Sequence, residues 1–224
     1  LDIYRRRIYM YSSEDIRDFF KGYKSEAVVK EHRFYSVLIP LVEREGKMHV
    51  LLEKRAAHIS QPGEICFPGG RIDAGEPPQA AALRECNEEI GVPIGEIKVL
   101  AQGDTLYGQA DFTIYSFIAE ISEESYERIK IERDEVEELY LIPLSYFVEN
   151  EPEFYRERYE TNIREFPYDK VGIPPDYEWR RGTMRIPIYE YDGIVIWGMT
   201  AQFLNRMSSK LREEAHGSDN TINM

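Results

Sequence analysis

A helix that gathers three glutamates on one face, launched straight from a double-glycine turn, constrains this chain more than any other feature. The stretch runs from Gly70 to Val92. Pro77 and Pro78 follow Glu76 and signal a helix start, because a proline in the first turn lacks only an N–H that would be unpaired anyway. Gln79 to Ile90 are mostly strong helix formers, and Gly91 supplies a left-handed stop. At 100° per residue, Ala82, Cys86, Ile90, Gln79 and Leu83 share one face, and Glu85, Glu88 and Glu89 share another. These carboxylates repel one another, and no lysine stands at i±4 to pair with them. Arg84 is the adjacent cation and can bridge Glu85 while orienting it. A solvated acidic face is the bland explanation of such a run. The flanks argue against it. Glu64 to Phe67 reads as a strand that enters the Pro68-Gly69-Gly70 turn and leads directly to the helix. Turn carbonyls beside clustered carboxylates are the oxygen ligands that Mg²⁺ or Mn²⁺ prefers.

The chain has 224 residues and a formal net charge of −13. That balance argues against a nucleic-acid partner or an acidic membrane surface, both of which need a basic stripe. A phosphate-bearing substrate would also be repelled unless cations and local basic groups invert the field. Lys54 and Arg55, with Arg71 just after the glycines, are the candidates for that role. The two cysteines, Cys66 and Cys86, show no paired metal-binding spacing and suit a reducing cytosol. No run has membrane-spanning length and the N-terminus shows no apolar signal core, so the expected compartment is the cytoplasm.

Taken in order, Ser12 or Ser13 caps a first helix with Ile16, Phe19, Phe20 and Tyr23 at helical spacing. Tyr35 to Val42 is an apolar strand whose Pro40 suggests an edge or a bulge. Arg44 to Lys47 is a turn, Met48 to Leu52 returns as a strand, and Glu53 begins a polar loop. Glu96 to Ala101 alternates like a strand, and Ala110 to Glu120 suits a central strand covered on both faces. Ser122 opens a short acidic helix. From Asp134 onward more carboxylates lead into a strand, where Glu135 or Glu138 can complete a metal shell from the opposite wall. Residues 145–182 carry no assignable function. Asp192-Gly193 marks a hairpin, and Thr200 caps a last helix. The expected organisation is an N-terminal helical flank (1–30), a main domain (31–213) and a flexible tail (214–224). The Tyr, Trp and Met positions suit a core or an interface, compatible with a homodimer.

Gly70, Glu76, Arg84, Glu85, Cys86, Glu88, Glu89, Gly91 and Val92 occupy the spacing of the Nudix hydrolase signature, which the stretch closely resembles. Cys86 stands at an aliphatic position and, buried, behaves as a small hydrophobe. The resemblance implies an α/β fold, an α/β/α sandwich with a mixed central sheet. It also implies an Mg²⁺- or Mn²⁺-dependent hydrolase of phosphoric anhydrides. Glu85, Glu88, Glu89 and the Gly70 carbonyl would be the metal ligands, with Arg84 in the catalytic group and Glu85 as the candidate base. Glu76 would stabilise the turn and the helix N-terminus. A second passage, Leu51 to Gly70, resembles the extra signature of the coenzyme A pyrophosphatase branch, although Ser60 replaces a frequent arginine and the spacer to Gly63 is one residue short. Ile196 to Ala201 resembles the segment before that branch's last helix. The implied reaction converts coenzyme A or its derivatives to adenosine 3′,5′-bisphosphate and 4′-phosphopantetheine. Lys54, Arg55 and Arg71 would then be substrate contacts. The alternatives are another nucleoside diphosphate derivative (ADP-ribose, NADH, a dinucleoside polyphosphate) or a non-catalytic ligand-sensing domain.

Overall fold

The computed structural model describes residues 12–23, 28–29, 31–108, 111–159, 166–179 and 182–219. It divides into two compact units, Leu1–His32 and Arg33–Met224. In the first, helix α1 (Ser13–Phe20) opens on a reciprocal cap. Ser12 Oγ accepts from the Asp15 N–H at 3.1 Å, and Asp15 Oδ2 accepts from the Ser12 N–H at 2.8 Å. None of the residues of α1 is buried.

The second unit runs β1 (Arg33–Arg44), β2 (Lys47–Arg55), β3 (Ile65–Cys66), β4 (Gly69–Arg71), α2 (Pro78–Ile90), β5 (Ile97–Gln102), β6 (Leu106–Gly108) and β7 (Phe112–Ile121). It continues through α3 (Glu123–Glu127), β8 (Val136–Pro143), α4 (Leu144–Glu149), β9 (Glu153–Tyr159), α5 (Tyr168–Val171), β10 (Gly182–Tyr191), β11 (Ile194–Trp197) and α6 (Gly198–Asp219). An eight-stranded sheet has the path β3-β2-β1-β7-β5, with β4 on β1, β6 on β7 and β8 on β2. β1 and β7 are parallel while their other neighbours are antiparallel, so the sheet is mixed. Strands β9, β10 and β11 form a separate antiparallel sheet.

Two apolar clusters cover the faces of the main sheet. Ala82, Cys86 and Ile90 of α2 pack with Leu38, Leu51 and Phe117 on one face. Phe147 of α4 and Ala201, Leu204 and Met207 of α6 pack with Val50, Leu52 and Ile142 on the other. Leu51 and Leu52 join opposite clusters, as a two-residue strand period requires. The layers are helix, mixed sheet, helix. The α2 stripe differs slightly from the wheel: Gln79 is exposed, and Ala81 and Glu89 are buried.

Several local expectations hold. Glu45 (φ 52°) and Gly46 (φ 72°) make the tight turn between β1 and β2, and Asp192 (φ 52°) and Gly193 (φ 80°) make the one between β10 and β11. Gly91 (φ 72°) ends α2 with its N–H on the Asn87 carbonyl. Others need correction. Pro40 lies in an interior strand, neither at an edge nor in a bulge. It falls between the segment of β1 that pairs with β4 (35–37) and the one that pairs with β2 (41–44), where a missing N–H breaks neither antiparallel ladder. β2 continues through Glu53 to Arg55, because β8 and β3 pair with it there. The last helix starts at Gly198 and runs to Asp219, past the expected tail boundary; residues 220–224 lie outside the described ones. No helix among the described residues is long and apolar enough to cross a membrane.

Candidate active site

The site begins with a chain reversal. β3 leads through Phe67-Pro68 into β4, where Gly69 and Gly70 pair with Val37 and Ser36 of β1. A side chain at Gly69 would strike the Ser36 carbonyl and Val37, and one at Gly70 would strike the Glu85 carboxylate. Gly69 is therefore required by close approach to the backbone of β1, and Gly70 lies directly against the first carboxylate of α2, which a side chain there would displace.

Arg84 organises the acidic face. Its Nε donates to Glu76 Oε1 at 2.9 Å and its Nη2 to Glu76 Oε2 at 3.0 Å. Its Nη1 donates to Glu85 Oε1 and to Glu88 Oε2, each at 2.9 Å, and Nη2 also reaches the Arg71 carbonyl at 3.1 Å. The expected bridge to Glu85 is thus one arm of a wider clamp that joins the turn to the helix. Glu76 Oε2 also accepts from the Asp73 N–H, so this residue ties down the turn. The Arg84 bonds hold the Glu76 carboxyl below the usual glutamate range.

The three helix glutamates have different surroundings. Glu88 is exposed, Glu85 is partly buried, and Glu89 is 4% exposed with Oε2 accepting from the Gly69 N–H at 2.8 Å. A carboxylate absent from the sequence expectation joins them: Glu53 of β2, 1% exposed. Burial is the main reason that the Glu53 carboxyl is pushed up to about 7 and Glu89 to about 9, and the charge of Glu53 adds to the shift of Glu89. Glu85 is also raised by burial, against the pull of Arg84. Glu135 raises all three through its charge, so the loop before β8 brings it to the same group. That loop is fastened to the end of α2: Glu132 N–H donates to the Glu89 carbonyl at 2.8 Å and Lys130 N–H to that of Ile90 at 3.3 Å.

Not every candidate converges. Glu138 accepts from the Tyr140 hydroxyl at 2.7 Å, and Lys54 Nζ is paired with Glu137 at 2.9 Å. Lys54 follows Glu53 directly, so it leaves β2 on the opposite face. Arg55, after a β-bulge, donates from Nε to the Ser60 carbonyl at 2.9 Å. It lines a cavity of about 490 Å³ that reaches Gly69 and Gly70, with an aromatic floor of Tyr35, Phe67, Phe112 and Phe203. Arg71 is exposed, and its carbonyl is held by Arg84. Glu53 carried one legible sign: a carboxylate continuing the apolar run Val50-Leu51-Leu52. Its position was hidden because β2 does not end where the apolar run ends.

The donor set suits a hard divalent cation: several carboxylates beside a glycine turn, one with the buried oxygen Glu53 Oε2 left without a hydrogen-bond partner. Among the described residues no three acidic, cysteine or histidine side chains are already gathered as ligands. Arg84 accounts for part of this, since it occupies an oxygen of both Glu85 and Glu88.

A pH dependence follows. Groups whose folded pKa is raised favour the fold below their unfolded pKa, and that stability is lost as pH rises through the folded value. The metal-free protein should therefore lose stability from about pH 5 to about pH 9, as Glu53, Glu85 and Glu89 ionise. Added Mg²⁺ or Mn²⁺ should raise the unfolding midpoint more at the alkaline end. Thermal unfolding in chelator across this range is the check. A midpoint that stays level or climbs with pH would contradict the burial of these carboxyls.

The profile of the NUDIX domain family matches residues 32–164. Nudix hydrolase 3 of Caenorhabditis elegans is 32% identical over 191 residues, which are 82% of this chain and 75% of that protein. A peroxisomal coenzyme A diphosphatase of Mus musculus is 29% identical over 134 residues, 59% of this chain and 56% of its own length. Among solved structures, an Ap4A hydrolase of C. elegans aligns with a TM-score of 0.45 at 19% identity, covering 52% of this chain and 84% of that one.

Proposed function

The chain belongs to the Nudix family of pyrophosphate-bond hydrolases, and we propose that its substrate is coenzyme A or a coenzyme A derivative. The observation that carries this reading is the cavity beside Gly69 and Gly70. One wall of it, Arg55, Ser60, Gln61 and Phe67, comes from the passage that resembles the coenzyme A pyrophosphatase branch. The similarity to the mouse diphosphatase supports it as well. The aromatic floor suits an adenine ring, and Arg55 at the rim suits a phosphate group.

Nudix hydrolases generally use divalent metals, and Mg²⁺ or Mn²⁺ is proposed here. Glu85, Glu88, Glu89, Glu135 and the Gly70 carbonyl would hold the ion. Once bound, it would neutralise the diphosphate oxygens and make the attacking water more acidic. Water attacks one phosphorus, the bridging P–O bond breaks, and the water's proton passes to a carboxylate. Glu85 takes that role, with its orientation set by Arg84 Nη1. Arg84 acts through the glutamates it holds and is a positioning residue. Gly70 keeps the approach to Glu85 open because it has no side chain.

The test is a panel of coenzyme A, acetyl-coenzyme A, ADP-ribose, NADH and diadenosine polyphosphates with either metal, with products resolved by chromatography. Release of adenosine 3′,5′-bisphosphate, with coenzyme A species preferred, is the expected result. Preference for ADP-ribose or a dinucleotide would retain the hydrolase and overturn the substrate. Turnover of nothing in the panel would favour a ligand-sensing role. Arg55→Ala should raise KM for coenzyme A about 10-fold, the loss of one charge-assisted hydrogen bond. Lys54→Ala should leave KM unchanged, since its ammonium is held by Glu137.

A further inference from the structure

We infer that Glu53, on strand β2 and outside the helix signature, is a ligand of the divalent cation, so that the site is shared between the central sheet and α2. This rests on the presence of a cation site at α2, as proposed above.

The first observation is where Glu53 stands. Val50, Leu51 and Leu52 are fully buried, and Glu53 continues the same strand at 1% exposure, paired with Cys66 on one side and Leu139 on the other. Leu51 packs with Ala82 and Cys86 under α2, and Glu53, two residues on, leaves the strand on that same face. It is thereby directed to the side of the sheet that carries Glu85 and Glu89.

The second observation is what Glu53 lacks. Oε1 accepts a thiol hydrogen from Cys66 Sγ at 3.4 Å, a weak bond, and Oε2 is buried with no partner. Among the described residues no lysine, arginine or histidine forms an ion pair with it. Placing a carboxylate in a dry apolar strand with no ion pair, eased only by the more distant charge of Arg55, is strongly unfavourable. A purely structural residue at this position would be apolar, as its neighbours are. The three nearby carboxylates, Glu85, Glu89 and Glu135, worsen the repulsion. A divalent cation removes both problems together: it supplies the missing partner for Oε2 and turns the surrounding negative charge into ligation. A retained proton is the competing explanation, and it predicts different behaviour on amide substitution.

The experiment compares wild type, Glu53→Gln and Glu53→Asp, each titrated with Mn²⁺ and read by the loss of the free-ion paramagnetic resonance signal, with unfolding midpoints in chelator alongside. Glutamine keeps the shape and removes the charge. Glu53→Gln is expected to weaken Mn²⁺ binding at least about 10-fold, since affinity follows ligand charge count. Its metal-free midpoint should equal or exceed that of wild type. Glu53→Asp should bind Mn²⁺ more tightly than Glu53→Gln. Mn²⁺ binding by Glu53→Gln equal to that of wild type would overturn the assignment and identify Glu53 as a protonated structural residue. A wild type that binds no Mn²⁺ would overturn the underlying cation site, a different result from the first.

Discussion

Glu85→Gln is expected to lower kcat/KM about a thousand-fold, corresponding to several kcal/mol of lost transition-state stabilisation. Its effect on the fold should be small. Glu85 is partly buried, and an amide oxygen can still accept from Arg84 Nη1, so the clamp on the turn survives. What disappears is the negative charge against Gly70, which is needed both to hold a cation and to accept a proton. Gly70→Ala should reproduce part of the loss without altering any charge, because its methyl would occupy the place of the Glu85 carboxylate. Glu138→Gln serves as the control: its carboxylate is bonded to Tyr140, and the variant should retain wild-type turnover. Steady-state kinetics with saturating metal, together with unfolding midpoints, checks all three. Near-wild-type turnover by Glu85→Gln would remove the central carboxylate from the mechanism.

Phe147→Ala should produce the largest change in stability. Phe147 of α4 is fully buried, and its ring meets Tyr146 and Tyr189 edge-on at centroid distances of 5.2 and 5.1 Å. Truncation of a buried phenylalanine leaves a cavity and costs about 4 kcal/mol. In a domain of this size that lowers the midpoint by about 10 °C. The same cluster contains Leu204 and Met207 of α6, and Arg212 of that helix donates to the Phe147 carbonyl at 3.1 Å. α6 also contributes Met199, Thr200 and Phe203 to the cavity beside the glycine turn. The variant should therefore raise KM for the proposed substrate while kcat changes less. A loss under about 1 kcal/mol would mean that the layer of α4 and α6 packs independently of this ring.

The α4–α6 layer lies beyond the signature helix: α6 was legible as a last helix, while the short α4 falls at the start of the stretch whose sequence periodicity is weak. The three-stranded sheet between these helices depends on β10 pairing with both β9 and β11, a partner choice that no local pattern encodes. Turns and caps behaved differently. The Glu45-Gly46 and Asp192-Gly193 reversals, the Gly91 stop and the Ser122 cap of α3 were all legible, because each depends on backbone preferences of one or two residues.

By itself, then, the sequence determined the signature helix, its glycine turn and the grouping of Glu85, Glu88 and Glu89, since helical spacing and local sterics are properties of neighbouring residues. It also carried the family. Only the tertiary structure decided that Pro40 is tolerated inside the sheet, that Lys54 and Glu138 are held by other partners, and that Glu53 lies buried beside Glu89. Those outcomes depend on strand register and on which face of a strand meets α2. Both are fixed by contacts between residues far apart in the chain, where the two-residue period of β2 runs on past its apolar stretch.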